Sequence, residues 1–526
     1  MEDKRCYKKD DKMRVENSIK NISYSIMSQI VIVLLGFVSR KVFINNLGTE
    51  YLGVNGVLTN VISMLGLAES GIGISIIYNL YKPLAEKKED KVIALIQLYK
   101  KIYGLLAIII LILSIIIYPF VNNTIIKENN GVKYITLVYF IFVVKNMISY
   151  LNAHKWSLIN ADQKAYVLVG VNLVFQVVTT ILKIVILIWT GDYILYLLAE
   201  LGVFLFQNLY NGRIVCKRYP YILTKKKYIV DKDTKDNIIR NTKALFLHNI
   251  GTYCVFGTDN ILISTFVNVT TVGLYSNYTM ITGQVSALIY PIMNGISDSV
   301  GNLIATESRD KNYSIFKTVY LINFWVYSLA VILMYNLLNP FIEWWLGKEY
   351  LLDNFTITIV LINFYLLGLR ASIGTFKSKA GIFVQDRYAP LLEAIINLCV
   401  SIILVKQIGL VGIFIGTTIS TLSIVFWNVP RLVYKNVFKK SVSEYFVKYF
   451  IYAFLTLITT ILTVLVNNYI NMNFTIMSLV TKGIICMVIS NLLYLIIFFK
   501  TEEFQYLWGI LNVKFRTIKD KLIKMT

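Results

Sequence analysis

The stretch FINNLGTEYLGVNGVLTNVI, residues 43–62, combines large aliphatic side chains with three glycines and a single acidic residue. A similar stretch, ISTFVNVTTVGLYSNYTMI, occupies residues 263–281 and has Gly273 at the position that Gly53 holds 220 residues earlier. Repetition at a fixed spacing indicates that parts of the chain are copies of one structural unit.

The chain has the composition of a membrane protein. Of its 526 residues, 56% are hydrophobic and only 16% are charged, and the mean hydropathy is +0.62. A helix needs about 20 apolar residues to cross roughly 30 Å of hydrocarbon. We therefore expect an all-α polytopic membrane protein with about 14 transmembrane helices. The predicted spans are residues 21–44, 52–80, 100–121, 133–153, 165–189, 192–212, 244–267, 272–304, 315–338, 354–376, 388–405, 410–430, 446–467 and 476–499.

The 52 lysines and arginines, which give a net charge of +22, are unevenly distributed. Nearly all lie in alternate loops, beginning with the N-terminal tail, and the intervening loops carry only Lys127, Lys133, Lys348 and Lys406. By the positive-inside rule this pattern places both termini in the cytoplasm and requires an even number of helices. The charge therefore reflects topology, with some attraction to membrane lipid head groups, and a nucleic-acid partner is not expected.

The repeat extends beyond the opening stretch. Two more pairs of similar segments follow in the same order, both at an offset of 225: residues 145–166 with 370–388, and residues 171–188 with 396–413. Six predicted helices fit into each period, and because six is even, both copies must point the same way. The sequence thus predicts two six-helix lobes, related as parallel repeats around a central cavity, and two additional C-terminal helices.

A basic loop, KRYPYILTKKKYIVDKDTKDN at residues 217–237, separates the two copies. It has few large apolar side chains at core spacing. We expect four segments: an N-terminal lobe at 1–212, a cytoplasmic linker at 213–243, a C-terminal lobe at 244–434, and the last two helices with a basic cytoplasmic tail at 435–526.

The second and eighth predicted spans both contain residues that weaken a helix. In LAESGIGISIIYNLYKPLAEKK, residues 67–88, two glycines follow Glu69, and a proline lies at the matching depth of span eight. The four residues are Gly71, Gly73, Pro291 and Gly295. They free backbone groups that lipid cannot satisfy, so protein or water must do so. Two interpretations remain open: kinks that improve packing, or bends in cavity-lining helices that move during transport.

Lys145 and Arg370 occupy matching positions of the repeat, in the fourth and tenth spans. Both lie about ten residues inside the cytoplasmic end, which is roughly 15 Å at helical rise. A charge near the bilayer centre costs at least about 2.5 kcal/mol and usually faces a cavity. Two cations facing one space would suit an anionic substrate such as a diphosphate. The alternative is pairing with carboxylates on neighbouring helices.

Other charged residues inside the spans also have two interpretations. Arg40, near the outer end of the first span, could face the cavity or extend to the membrane surface. Lys183 is expected at the interface or in packing. Glu69 and Asp259 could balance the cations or bind a coupling proton or sodium ion.

Cysteine and histidine are sparse and scattered: Cys6, Cys216, Cys254, Cys399, Cys486, His154 and His248. Their spacing fits neither a metal site nor a disulfide framework. We expect no metal and no cofactor, and coupling to a proton or sodium gradient stays open.

Three segments carry a resemblance to a known family. SRKVFINNLGTEYLGVNGVLTNVISMLGLAESGIGISIIYNLYKPLAEKKEDKV, residues 39–92, resembles the first two helices of bacterial Wzx-type polysaccharide repeat-unit flippases. TDNILISTFVNVTTVGLYSNYTMI, residues 258–281, and LLEAIINLCVSIILVKQIGLVGIFIGTTIS, residues 391–420, are similar to later helices of that group. The resemblance implies the MOP exporter superfamily, which includes multidrug MATE transporters and the lipid II flippase.

The resemblance also implies a function. Undecaprenyl-diphosphate oligosaccharide would cross from the cytoplasmic to the outer leaflet of the bacterial cell membrane by alternating access, for capsular or other cell-surface polysaccharide, and no enzymatic step is needed. The family's basic residues fall on Arg40 and Arg370, and Lys145 stands where many relatives have arginine. Five polar residues would meet sugar hydroxyls: Asn60, Asn146, Asn277, Tyr278 and Gln284. We expect a monomer that works beside the glycosyltransferases and polymerase of its pathway.

Two other classes of membrane protein are alternatives to a flippase. A MATE-like cation-coupled drug antiporter would share the fold but would favour acidic and aromatic cavity residues. A membrane polymerase or glycosyltransferase would need catalytic carboxylates or histidines on a sizeable external loop. The longest outer loop predicted here, residues 339–353, is short.

Overall fold

The structure is a computed structural model that describes residues 28–69, 71–125, 132–162, 164, 166–382, 385–470 and 475–509. Within these ranges all regular secondary structure is helical, and no β-strand occurs. The expected all-α membrane fold is confirmed.

The chain divides into two compact units, Met1–Ser276 and Asn277–Thr526. The first contains α1 (Ser28–Leu47), α2 (Thr49–Leu65), α3 (Ile72–Ala85), α4 (Glu89–Phe120), α5 (Ile135–Leu151), α6 (Ala153–Ala161), α7 (Tyr166–Thr190), α8 (Tyr193–Arg218), α9 (Lys232–Phe256), α10 (Asp259–Phe266) and the start of α11 (Val269–Thr306). The second contains the rest of α11, α12 (Arg309–Trp345), α13 (Asn354–Lys379), α14 (Ala389–Ile408), α15 (Leu410–Ser423), α16 (Val425–Val433), α17 (Ser443–Tyr469) and α18 (Ile476–Phe498).

Each predicted span corresponds to one of these helices or to a pair of consecutive ones. Ten helical segments of the described chain are long and apolar enough to cross a membrane, and the pair α5 and α6, bent by 47°, makes eleven. The second, seventh and eighth predicted spans do not reach that standard. The second and seventh are each split into two shorter helices, and α11 has polar side chains along its length.

The second span is interrupted close to Glu69. A 3₁₀ turn at Gly66–Glu69 follows α2, and α3 begins after Gly71, whose backbone is left-handed with φ of 89°. Glycine adopts this conformation without the steric cost that a Cβ would add. By contrast, α11 continues through Pro291 and Gly295 without interruption, so the two repeat-related helices differ at this depth.

The opening stretch, residues 43–62, packs closely against the segment that repeats it, residues 263–281. A Cβ on Gly53 would lie 2.0 Å from the backbone oxygen of Val269, and a Cβ on Gly273 would lie 2.2 Å from that of Thr49. Since Val269 and Gly273 match Thr49 and Gly53 at the offset of 220, this is one contact made twice. The beginnings of α2 and α11 therefore pack backbone to backbone.

A second contact is also approximately reciprocal. Arg40 Nη1 donates a hydrogen bond to Ser276 Oγ at 2.9 Å. In the matching place, Asn260 Nδ2 lies 3.6 Å from the position of a Cβ on Gly56. Reciprocal contacts between matching residues are the signature of a two-fold relation. The repeats are thus parallel copies, as the sequence predicted.

The unit boundary falls inside α11, whereas the sequence places a linker at residues 213–243. In the structure α9 packs against α3 and α10 packs against α2, all within the first unit. The predicted lobe boundaries therefore stay a prediction.

In the second unit, α17 and α18 pack against α12 through aromatic rings. The ring of Phe324 stacks on Tyr452 at 4.2 Å and meets Tyr494 at 5.0 Å. A polar link is added where Trp325 donates to Asn491 at 2.8 Å. The last two helices are therefore part of the core of this unit.

We expect Gly53→Ala and Gly273→Ala each to destabilise the protein by roughly 1 to 3 kcal/mol, the usual cost of overpacking. The added methyl would overlap a backbone oxygen that has no side-chain rotamer through which to move. Thermal unfolding in detergent and the yield of monodisperse protein measure this effect.

Gly283→Ala is the matched control on α11, because nothing lies within 4 Å of its Cβ position. Alanine is the better helix former by roughly 0.5 to 1 kcal/mol, so this variant should melt at or above the parent temperature. Equal melting of all three variants would contradict the close contact.

Candidate functional site

A cluster of charged side chains lies within the helices of the first unit. Glu200 on α8 accepts a hydrogen bond from Lys145 on α5 through one carboxylate oxygen, and from Lys183 on α7 through the other, at 2.5 Å. The side chains are 21%, 37% and 16% exposed, respectively. One carboxylate therefore holds two lysines at an interface of three helices.

Aromatic rings and a third cation adjoin this cluster. The Lys183 ammonium lies 4.3 Å from the ring centre of Tyr196, one turn before Glu200 on α8. Tyr196 also packs against Phe43 of α1, with ring centres 5.3 Å apart, and Arg40 lies one turn before Phe43. Arg40 donates to Ser276 and, within the described part of the chain, makes no ion pair. Two lysines thus share one carboxylate, which leaves one positive formal charge, and Arg40 on the neighbouring helix adds a second.

In the second unit, two cations of α13 are each paired with a carboxylate. Arg370 on α13 donates to Glu393 on α14 at 3.1 Å, and Thr421 donates to the same carboxylate oxygen at 3.1 Å. About two turns further along α13, Lys377 pairs with Asp386. Asp386 also accepts a hydrogen bond from Asn428 at 2.5 Å. Each of these cations has its own carboxylate.

The repeat-related cations Lys145 and Arg370 thus both pair with carboxylates on neighbouring helices. This pairing was the alternative to an exposed position in the cavity. Their partners are not repeat-related, because Glu200 comes from the sixth span and Glu393 from the eleventh. Pairing does not exclude contact with substrate, and the substrate-binding roles of both residues stay proposals.

The five polar residues expected to meet sugar hydroxyls lie in different settings. Asn60 donates to the backbone oxygen of Gly257 at 2.9 Å, so it joins α2 to the end of α9. The Tyr278 hydroxyl is buried, donating to Asn339 at 2.6 Å and accepting from the backbone of Leu352 at 2.9 Å. In this conformation the Tyr278 hydroxyl is occupied by structural bonds.

The three remaining amides of that set are less engaged or only partly characterised. Asn277 is fully buried, and neither of its side-chain polar atoms has a hydrogen-bond partner among the described residues. The buried side-chain nitrogen of Asn146 also lacks a partner there. Gln284 is half-buried on α11 and does have an interaction.

The two predicted carboxylates have unequal surroundings. Glu69 accepts a hydrogen bond from the Tyr103 hydroxyl at 2.7 Å. Asp259 starts α10, and its buried Oδ1 has no hydrogen-bond partner among the described residues. No group of three or more metal-binding side chains occurs in that part of the chain. A role of either acid in ion coupling stays a prediction.

Sequence reasoning missed the partners of the cations. Glu393 is the only acidic residue of the eleventh predicted span, and Glu200 is the only one in the sixth apart from Asp192 at its first position. That was a usable signal, because an acid in the middle of an apolar span needs a partner or a cavity. Lys183 was expected at the interface or in packing, and it lies inside the cluster.

A family model described as polysaccharide biosynthesis protein matches residues 18–297. A comparison with curated protein sequences found no match.

The fold occurs in solved transporter structures. The chain is similar to lipid II flippase MurJ in an inward-closed conformation, with a TM-score of 0.66 and 14% identity over 91% of this chain and 99% of that one. It is also similar to an inward-facing multidrug resistance MATE transporter of the MOP superfamily (TM-score 0.59, 14% identity, 80% and 99% coverage). A third similar structure is the Vibrio cholerae MATE transporter VcmN, with a TM-score of 0.56 and 12% identity over 81% of this chain and 99% of that one. At these identities the likeness shows the fold alone.

We expect Glu200→Gln to destabilise the protein by about 3 kcal/mol, because removing one partner of a buried ion pair leaves uncompensated charge. Here two lysines lose their counter-ion together. Lys183→Met should cost less, since Lys145 and Glu200 remain paired. Melting temperatures in detergent test both statements.

Glu307→Gln is a suitable control, because Glu307 is exposed at the end of α11. It should melt within a degree or two of the parent. A Glu200→Gln variant as stable as this control would show that the cluster does not depend on the carboxylate.

Proposed function

Because the chain belongs to the polysaccharide biosynthesis protein family and has the fold of MOP-superfamily transporters, we propose that it is a flippase for undecaprenyl-diphosphate-linked oligosaccharide. It would carry the glycan from the cytoplasmic to the outer leaflet of the bacterial cell membrane, where capsular or other surface polysaccharide is assembled. Both termini would be cytoplasmic, and the protein would work without a covalent step.

The observation that carries this proposal is the excess positive charge around Glu200. Lys145 and Lys183 share that carboxylate. Arg40 lies one turn before Phe43, whose ring packs on Tyr196, and has no ion pair in the described chain. Uncompensated charge inside a membrane protein is costly and marks a substrate or ion pathway. A diphosphate carries the opposite charge, and its oxygens accept charge-assisted hydrogen bonds from lysine and arginine.

The balanced pair in the second unit supports a different role for Arg370. Since Glu393 already neutralises it, a diphosphate would have to compete with a carboxylate for that guanidinium. We therefore propose that Arg40 and Lys145, with Lys183, provide most of the anion binding and that Arg370 contributes less.

Alternating access needs helices that can change shape. The interruption between α2 and α3 at Gly71 provides such a place, since a helix broken by a left-handed glycine has fewer backbone hydrogen bonds to lose. We propose that this break bends during transport. The same proposal includes coupling of transport to a proton or sodium gradient through Glu69 or Asp259. It also includes a monomer that works beside glycosyltransferases and a polymerase.

The test is flipping of undecaprenyl-diphosphate oligosaccharide in proteoliposomes. Arg40→Ala and Lys145→Ala should each lower the rate at limiting substrate by about 10-fold to 100-fold, the loss expected for one charge-assisted hydrogen bond of 1.5 to 3 kcal/mol. Arg370→Ala should have a smaller effect.

Lys348→Ala, which removes a highly exposed loop cation, should leave flipping unchanged. Export of cationic drugs by the same vesicles tests the MATE-like alternative. If the parent moved drugs but no lipid-linked glycan, the proposed function would be wrong. If it flipped glycan and all three cation variants matched Lys348→Ala, only the anion-binding assignment would fail.

A further inference from the structure

A polar cavity of about 500 Å³ lies inside the first unit, between α4, α5, α6, α7 and α8. Its volume is within the range of about 300–1,000 Å³ that is usual for small-molecule sites. Only one of the residues that line it, Glu69, was singled out from the sequence. The other polar lining includes Trp156 on α6, Asn172 on α7, and Gln207 and Asn211 on α8.

The amides in this cavity are held by one another. Asn172 Oδ1 accepts hydrogen bonds from Gln207 Nε2 at 2.9 Å and from Asn211 Nδ2 at 2.6 Å. The Asn211 side-chain oxygen is buried and has no hydrogen-bond partner among the described residues. A buried oxygen without a partner costs about 1–3 kcal/mol. The network is therefore fixed in orientation at the wall of the cavity.

The chemistry of the lining matches a sugar. Amides both donate and accept, as ring hydroxyls do, and the carboxylate of Glu69 accepts from a hydroxyl. The indole of Trp156 offers a flat apolar face to the C–H side of a ring. A drug cation would instead be attracted by several carboxylates, and this lining has one, which already accepts from Tyr103.

The second unit shows that the fold does not require this cavity. Asn397 on α14 is the repeat equivalent of Asn172, and there it is fully buried and donates to Thr417 at 3.0 Å. Glycines of α15 close the space, because a Cβ on Gly416 would lie 2.1 Å from Ser401 Oγ. The space that Asn172 lines is therefore not reproduced around its equivalent, Asn397.

The cavity adjoins the charged cluster along α8. Glu200, Phe204, Gln207 and Asn211 follow one another at steps of three or four residues, so they share one face of that helix. Phe204 lines the cavity, and the Lys145 ammonium lies 5.8 Å from its ring centre. Gln207 lies seven residues after Glu200 on α8, a distance of about 10 Å along the helix. It is nearer the end of α8 that the proposed topology places in the cytoplasm.

We propose that this cavity binds the first sugars attached to the diphosphate and so discriminates among glycans. The inference rests on the proposed function, since the cations of the neighbouring cluster would hold the diphosphate while the glycan enters between α6, α7 and α8. The cavity has room for a short glycan but not for a long repeating unit, so recognition is confined to the sugars nearest the lipid.

The experiment compares the affinity of the full chain in nanodiscs for undecaprenyl diphosphate and for the same lipid carrying one sugar. Glucose, galactose and N-acetylglucosamine are the sugars used. The parent should bind at least one glycosylated lipid roughly tenfold more tightly than the bare lipid, the gain expected from one or two neutral hydrogen bonds.

Two variants of nearly unchanged size remove the amides: Asn172→Leu and Gln207→Met. Both should lose the preference for the glycosylated lipid and keep the affinity for the bare lipid within about twofold. Lys145→Ala should weaken both lipids together and keep the ratio. Asn436→Leu is the control, because Asn436 is an exposed amide of the second unit that lies outside this cavity.

A second readout does not depend on the lipid. Quenching of tryptophan fluorescence by the methyl glycoside of the preferred sugar should saturate in the parent and disappear in Trp156→Phe, with melting temperatures showing that every variant is folded.

The outcomes separate the two claims. Glycan flipping by the parent, together with equal affinity for bare and glycosylated lipid or with unchanged preference in both amide variants, would overturn the sugar site and leave the proposed function intact. A parent that flips no glycan but shows the saturable quench would overturn the proposed function and keep the cavity as a sugar site.

Discussion

The organisation of the first unit depends on one carboxylate in the membrane. Glu200 lies half-buried between Lys145 and Lys183, and in a medium of low dielectric constant each lysine needs it. Because two lysines share a single charge, the pairing holds α5, α7 and α8 together and still leaves a positive charge. The same arrangement is therefore a structural link and also the place of the proposed anion binding, while the paired cations of the second unit provide a link alone.

The two copies of the repeat have been used differently. Around Gly416, α14 and α15 of the second unit approach closely, while a cavity lies beside Asn172 and Gln207 in the first unit. Charge follows the same division, since Arg370 is neutralised and Arg40 is not paired within the described chain. The cavity of the first unit is lined by polar side chains, while the second unit holds an apolar cavity of about 450 Å³ between α12, α13 and α17.

The sequence predicted the features that depend on local composition and order. Hydrophobic length gave the helices, the repeat gave their relation, and glycine chemistry located the break at Gly71. It could not show that Glu200 is shared, because which side chains meet depends on helix rotation and packing. The same limit explains why Tyr278 was expected to face substrate although its hydroxyl is bonded within the fold. Pro291 was expected to weaken its helix in the same way, but α11 continues through it.

The contact between Gly53 and Gly273 bears on how such a chain could have arisen. In a symmetric dimer of half-length chains, one glycine would lie next to its own copy, and any larger residue there would clash on both sides of the axis at once. After gene fusion the two positions can mutate independently, yet each still lies against backbone of the other copy. At this crossing the chain therefore has the reciprocal geometry that an interface between two identical chains would have.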